Sequence, residues 1–257
     1  MAESTLSLSL TSLTLLVGRF LGYKPDPDDW SARQASEVDD YVQTGVRQFY
    51  YPPAMPGFEP GYEWSFLRPW GSVDTVESQA DNVLPDDFSR LMAGGLMFAA
   101  DSGYTPVAAD VGAAKILTMR QTEDFEGRPT MAAVKVVAAA AGVGQRKTIM
   151  WYPTPDAAYT LTFRYEAYAE ALTEGQPYPL GGMKHADCVA ESCLAVAEQR
   201  ANDSAGLHTA RFEAMVVACT VRDNREGTTN FGPAGQARNR GRLAPPSSLT
   251  VSGVIIQ

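Results

Sequence analysis

The chain is 257 residues long, 45% apolar and 20% charged, with a formal net charge of −9. This composition excludes a disordered chain and an extended coiled coil, and the acidic balance argues against a general nucleic-acid binder, whose surface is basic. Cys188, Cys193 and Cys219 are an odd, low cysteine complement that suits a reducing compartment and no disulfide framework.

The N-terminus reads as an extended arm followed by a helix. Leu6, Leu8 and Leu10 alternate with Ser and Thr, whereas Leu13, Leu16, Val17, Phe20 and Leu21 fall on one helical face. The segment superficially looks like a signal peptide. It lacks a basic start, carries Glu3 and interrupts its apolar run with hydroxyl residues, so synthesis in a cytoplasm is expected. No run of about eighteen apolar residues occurs, and no membrane span is expected. Gly22 and "KPDPDD" end this helix. Asp28 or Asp29 is placed to cap a second helix, which buries Val38, Tyr41, Val42 and Phe49. "YYPPAMPGFEPG" stops it, because proline removes the amide donor and clashes with the preceding turn.

From Tyr62 to Tyr168 short apolar segments alternate with Gly, Pro and Asp clusters, the pattern of a β-rich domain. Strands are expected over 62–67, 72–76, 95–99, 131–138, 147–152 and 158–168, with a short helix over 113–118. In the last strand Tyr159, Leu161, Phe163, Tyr165 and Ala167 point one way; Thr160, Thr162, Arg164, Glu166 and Tyr168 point the other. The aromatic-rich stretch "WYPTPDAAYTLTFRYEAY" could be a stacking platform or a core. Leu161 shares the aromatic face while hydroxyl and charged residues hold the other, so Trp151, Tyr159, Leu161, Phe163 and Tyr165 are assigned to the β-domain core.

"EGQPYPLGG" then reads as a linker, and "MKHADCVAESCLAVAEQRA" as an amphipathic helix burying Met183, Ala186, Val189, Ala190, Cys193, Leu194 and Ala197. Asn202 or Ser204 is placed to start another helix with Leu207, Ala210, Phe212, Met215, Val216 and Cys219 as its apolar set; one bent helix fits equally. Past Glu226 the chain is rich in Gly, Pro and Ser, bears Arg238, Arg240 and Arg242 and no acidic residue, and ends in the β-prone "LTVSGVIIQ".

The fold class expected is α+β: a helical bundle of N- and C-terminal helices, an inserted sandwich- or barrel-like β domain, and an extended C-terminal arm. The boundaries are 1–55, 56–178, 179–226 and 227–257.

His185, Asp187 and Cys188 lie close together, but His208 is the only other histidine and no paired ligand motif occurs, so no metal site is expected. "GVGQRKT" places Arg146 rather than glycine before Lys147, and a strand rather than a helix follows, so it reads as a hairpin turn and not a phosphate loop. No G-x-S-x-G elbow is present, and the acidic pairs Asp28/Asp29, Asp39/Asp40 and Asp86/Asp87 sit where turns and helix edges are solvated. Catalytic, metal and cofactor residues are therefore none, and the chain is read as a non-enzyme.

The motifs "VDDYVQTGVRQFYYPP", "YEWSFLRP", "VLPDDF", "MWYPTPDAAYTLTFRYEAY", "LTEGQPYPLGGMKHADCVAESCLAVAEQR" and "GLHTARF", in that order, resemble the head-to-tail adaptor (connector, tail-tubular A-like) proteins of tailed bacteriophages. The likeness runs from about Leu13 to Arg222. It implies a structural protein of the virion neck, made in the host cytoplasm and assembled as a dodecameric ring. The partners implied are the portal protein, other copies of itself and a downstream tail protein. DNA would pass through the lumen without sequence-specific binding, and no membrane is involved.

A ring needs two different complementary faces on each subunit. Helix faces bearing Arg33, Glu37, Arg47, Glu191, Glu198 and Arg200 are candidates for such charge pairs. The C-terminal arm is the candidate for portal docking, with Arg238, Arg240, Arg242, Leu249, Val251, Val254, Ile255 and Ile256 as the residues to meet a neighbour's sheet edge. Two other readings stand beside this one. One is a tail-tube or tail-completion ring protein; the other is a carbohydrate-binding β module using Trp64, Trp70 or Trp151.

Overall fold

The computed structural model describes residues 3–54, 61–109, 111–139 and 144–228. In chain order the elements are α1 (Leu10–Phe20), α2 (Ala32–Tyr50), β1 (Trp70–Asp74), β2 (Asp81–Val83), β3 (Phe88–Leu91), α3 (Ala113–Thr122), β4 (Met131–Val136), β5 (Lys147–Tyr152), β6 (Thr160–Ala167), α4 (Ala186–Asn202) and α5 (Leu207–Thr228). The class is α+β, with five helices and two small antiparallel sheets among the described residues. Contacts divide the chain into two compact units, 65–172 and the remainder on either side of it.

In the helical unit α4 packs against α1, α2 and α5. Its buried residues run almost without interruption from Cys188 to Glu198, as befits a helix covered on most sides. Alpha-2 begins with a capping box, in which Ser31 accepts from the Gln34 amide and Gln34 Oε1 accepts from the Ser31 amide. The cap is thus Ser31 and not Asp28 or Asp29; those two lie in a 3-10 turn, Pro27–Asp29, which Asp26 caps. Alpha-1 starts at Leu10 rather than Leu13 because Ser9 accepts from the Ser12 amide.

Alpha-2 and α4 meet closely at Gly45. A Cβ there would lie 2.5 Å from Cys193 Cα, and Ser192 Oγ donates to the Gly45 carbonyl at 2.7 Å. At the other end Phe49, Tyr62, Trp64 and His185 form an aromatic cluster, and Trp64 Nε1 donates to the Phe49 carbonyl at 2.9 Å. That cluster explains one difference from the sequence reading. The segment expected as a strand over 62–67 gives Trp64 to this core and then turns through the 3-10 helix Ser65–Leu67.

In the second unit the sheets are ordered β1-β6-β3 and β2-β5-β4. One core holds Val73, Phe88, Leu161, Phe163 and Tyr165 from the first sheet together with Ala132, Ile149 and Trp151 from the second. Ile116 of α3 joins Ala133, Met150 and Tyr152 in a smaller core on the opposite face of β4 and β5. Covered on both faces, β5 buries four consecutive residues, Ile149 to Tyr152, instead of alternating. Alpha-3 is tied down by Arg120, which donates to the Ala80 and Trp151 carbonyls at 2.7 and 2.8 Å and to Asp81.

Candidate assembly faces and core residues

Along β6 burial alternates as the side chains alternate. Leu161 and Phe163 are fully buried, Tyr165 is buried and Tyr159 half-buried. Trp151 is fully buried on β5, and its Nε1 donates to Asn82 Oδ1 at 2.6 Å. Tyr165 stacks on Phe88 at 5.4 Å between ring centroids and donates to Asp87. Burial and the Asp87 carboxylate push its hydroxyl up to about 12. Trp151, Leu161, Phe163 and Tyr165 lie in one core, and half-buried Tyr159 packs against it.

The tryptophans proposed as a sugar platform do not form one. Trp64 and Trp151 are buried in separate units, and only Trp70, 63% exposed, faces solvent. A stacking site needs several open rings beside hydrogen-bonding groups. Buried cysteines complete the picture of scaffold: all three are free thiols, and burial pushes Cys193 up to about 12.

The helix charges that the sequence offers as pairs between subunits divide by sign. Glu37 accepts from Tyr41 and Tyr23, both at 2.8 Å, and these bonds hold its carboxyl below the usual carboxylate range despite partial burial. Glu191 pairs with His208 at 2.7 Å and approaches Arg211 at 3.8 Å. Glu198 accepts from the His208 and Thr209 amides at 3.0 and 3.2 Å, capping α5 from the end of α4. Gly206 makes room for it, since a Cβ there would lie 2.4 Å from the carboxylate. Burial alone raises the Glu198 carboxyl, but the Thr209 and His208 amides, the His208 ring and the Leu207 amide outweigh it, and the group is held below its ordinary value. All three glutamates are thus used within the chain. Arg33, Arg47 and Arg200 remain exposed.

Between α2 and α4 lies a groove of about 580 Å³, lined by Thr44, Arg47, Gln48, Tyr51, Gln199 and Arg200, with Pro53 and Val196 also on its wall. The Arg200 guanidinium sits 5.4 Å from the Tyr41 ring centroid, so a cation–π contact orients it.

Alpha-5 carries apolar residues on two faces. Phe212, Val216 and Cys219 are buried, whereas Leu207, Val217 and Val221 are 60%, 42% and 39% exposed. Together with exposed Ala210 and Ala214, the outer residues 207, 210, 214, 217 and 221 are spaced three and four apart, which makes one continuous stripe. The sequence groups Leu207 and Ala210 with Phe212, Val216 and Cys219 in one apolar set; the structure puts the first two in the outer stripe. The spacing was available, but a helix apolar on two sides hides it in a single list.

The family model of the SU10 adaptor protein matches residues 9–237. The chain belongs to the SU10 adaptor protein family. The adaptor is accordingly a structural phage protein of a family not known for catalysis, and the family implies a place in the virion neck with portal and tail components as partners. No curated protein matches the chain. The arm residues Arg238, Arg240, Arg242, Leu249, Val251, Val254, Ile255 and Ile256 lie outside the described residues. Among the described residues, no group of three or more His, Cys, Asp and Glu side chains converges as a metal site would require, and no helix is long and apolar enough to cross a membrane.

Proposed function

We propose that this adaptor assembles as a ring, dodecameric as the resemblance implies, that joins the portal to the tail. DNA passes through its lumen. The observation that carries the reading is the outer stripe of α5: an apolar helix face left in water is a surface awaiting a partner. In a ring of identical subunits that partner is a second copy, meeting the stripe with a different face of its own. The helical segments 1–55 and 179–226 form the ring body and 56–178 is the inserted β domain. Residues 227–257 are the arm that docks on the portal, its arginines first and its "LTVSGVIIQ" segment adding a strand to a sheet edge.

Charge supports passage of DNA. Acidic residues outnumber basic ones by 30 to 21, so a lumen built from this chain makes few of the phosphate contacts that hold DNA in place. The reading is tested by cosedimenting the full chain with portal particles from the same genome. Saturable binding at a fixed subunit ratio is the expected result, and the same binding to tail tubes lacking portal would favour a tail-completion role instead.

A further inference from the structure

We propose that the groove between α2 and α4 is a binding site for a carboxylate-bearing peptide segment of a partner protein. Its rim places Arg47 and Arg200 on two helices, with the amides of Gln48 and Gln199 and the hydroxyl of Thr44 beside them. Among the described residues, no acidic side chain lines it. That is unusual for this chain, which carries nine more acidic than basic residues and spends Glu37, Glu191 and Glu198 on bonds within the same helical unit. Among the described residues neither arginine makes an ion pair, so two guanidinium forks face the groove with their donors free for carboxylate oxygens. Arg200 is also held ready, because the Tyr41 ring orients it without neutralising it.

A position near a helix C-terminus accounts for the sign of each arginine, since Arg47 and Arg200 both lie in last turns. It does not account for their convergence on one groove that no described acidic side chain lines, with amide groups between them. Nucleic acid fits less well. Two arginines are too few to follow a phosphate backbone, and the overall charge of −9 repels it. A short peptide matches the groove's volume; Gln48 and Thr44 can each donate to or accept from its backbone, and Gln199, whose Nε2 donates to Thr209 Oγ1 at 3.2 Å, keeps its Oε1 as an acceptor.

The test is a titration of the full, isotope-labelled chain, following the Arg side-chain resonances by NMR. The probes are a capped peptide of alternating Glu and Gly, its Gln counterpart, and a short oligothymidylate. The Glu peptide is expected to shift the Arg47 and Arg200 signals saturably, and the Gln peptide to leave them in place. Arg47→Ala and Arg200→Ala are each expected to weaken binding by about tenfold or more, the loss of one charge-assisted contact. Arg33→Ala, an exposed arginine of the same helix outside the groove, is expected to leave the affinity unchanged. Equal binding of the Gln peptide overturns the proposal, as does tighter binding of the oligothymidylate. Equal weakening by Arg33→Ala also overturns it, by reducing the effect to general charge. All three variants alter exposed side chains, and their melting temperatures show directly that they fold. No portal and no self-assembly enters the readout, so this site stands or falls separately from the ring.

Discussion

Glu198, four residues before the end of its own helix, caps the next through the His208 and Thr209 amides. Its folded-state pKa lies below the ordinary value of 4.5, so the stability it contributes is present above that value and is lost as pH falls through the lower, folded one. Glu198→Gln keeps an acceptor but removes the charge. The variant is expected to melt below the wild type at neutral pH, and the two curves to converge as the pH falls through the lowered folded-state pKa and wild-type Glu198 is itself protonated. A gap that stays constant with pH would contradict this account of the cap. Gly45 is a second residue with a single physical reason. The backbone of α4 lies where a methyl group would go, 2.5 Å away at Cys193 Cα. Gly45→Ala must therefore separate the helices, and a loss of about 1–3 kcal/mol in urea unfolding is expected. Better helix propensity alone would give a small gain instead.

At the scale of elements, legibility followed the source of each signal. The β6 alternation could be read because its period is local and its faces differ sharply in polarity. Alpha-2 could be read for the same reason at the helical period, although its start was misplaced because three candidate capping residues precede Ser31 within six positions. The three-residue β2 and four-residue β3 were missed. Their partners, β5 and β6, lie more than sixty residues onward, and no short window contains such a pairing. The strand expected over 95–99 survives only as bridges from Leu96 to Val107 and from Met97 to Thr162. The groove was invisible for a different reason. Its arginines were legible as charges, but only the structure shows that the neighbouring glutamates are occupied elsewhere. The outer stripe of α5 yields the prediction for this scale. Val217→Asp places a charge in the stripe but outside the buried set of Phe212, Val216 and Cys219. Its monomer is expected to keep the wild-type circular dichroism and melting temperature within about 0.5 kcal/mol, while self-association on the portal falls at least tenfold. Unaltered assembly would mean that some other face joins the subunits.

For the whole molecule the account joins a helical unit with a two-faced α5, a β unit with its own core, and a C-terminal arm rich in arginine and free of acid. Deleting 227–257 is expected to abolish portal attachment while leaving the melting temperature of the remaining chain unchanged, and portal attachment by the truncated chain would remove the arm from the account. The measurement that reaches the central claim most directly is native mass spectrometry with negative-stain imaging of the full chain, alone and mixed with portal particles. The account predicts rings of uniform stoichiometry seated on the portal. A chain that stays monomeric in both samples, or that forms rings or stacks indifferent to the portal, would contradict it.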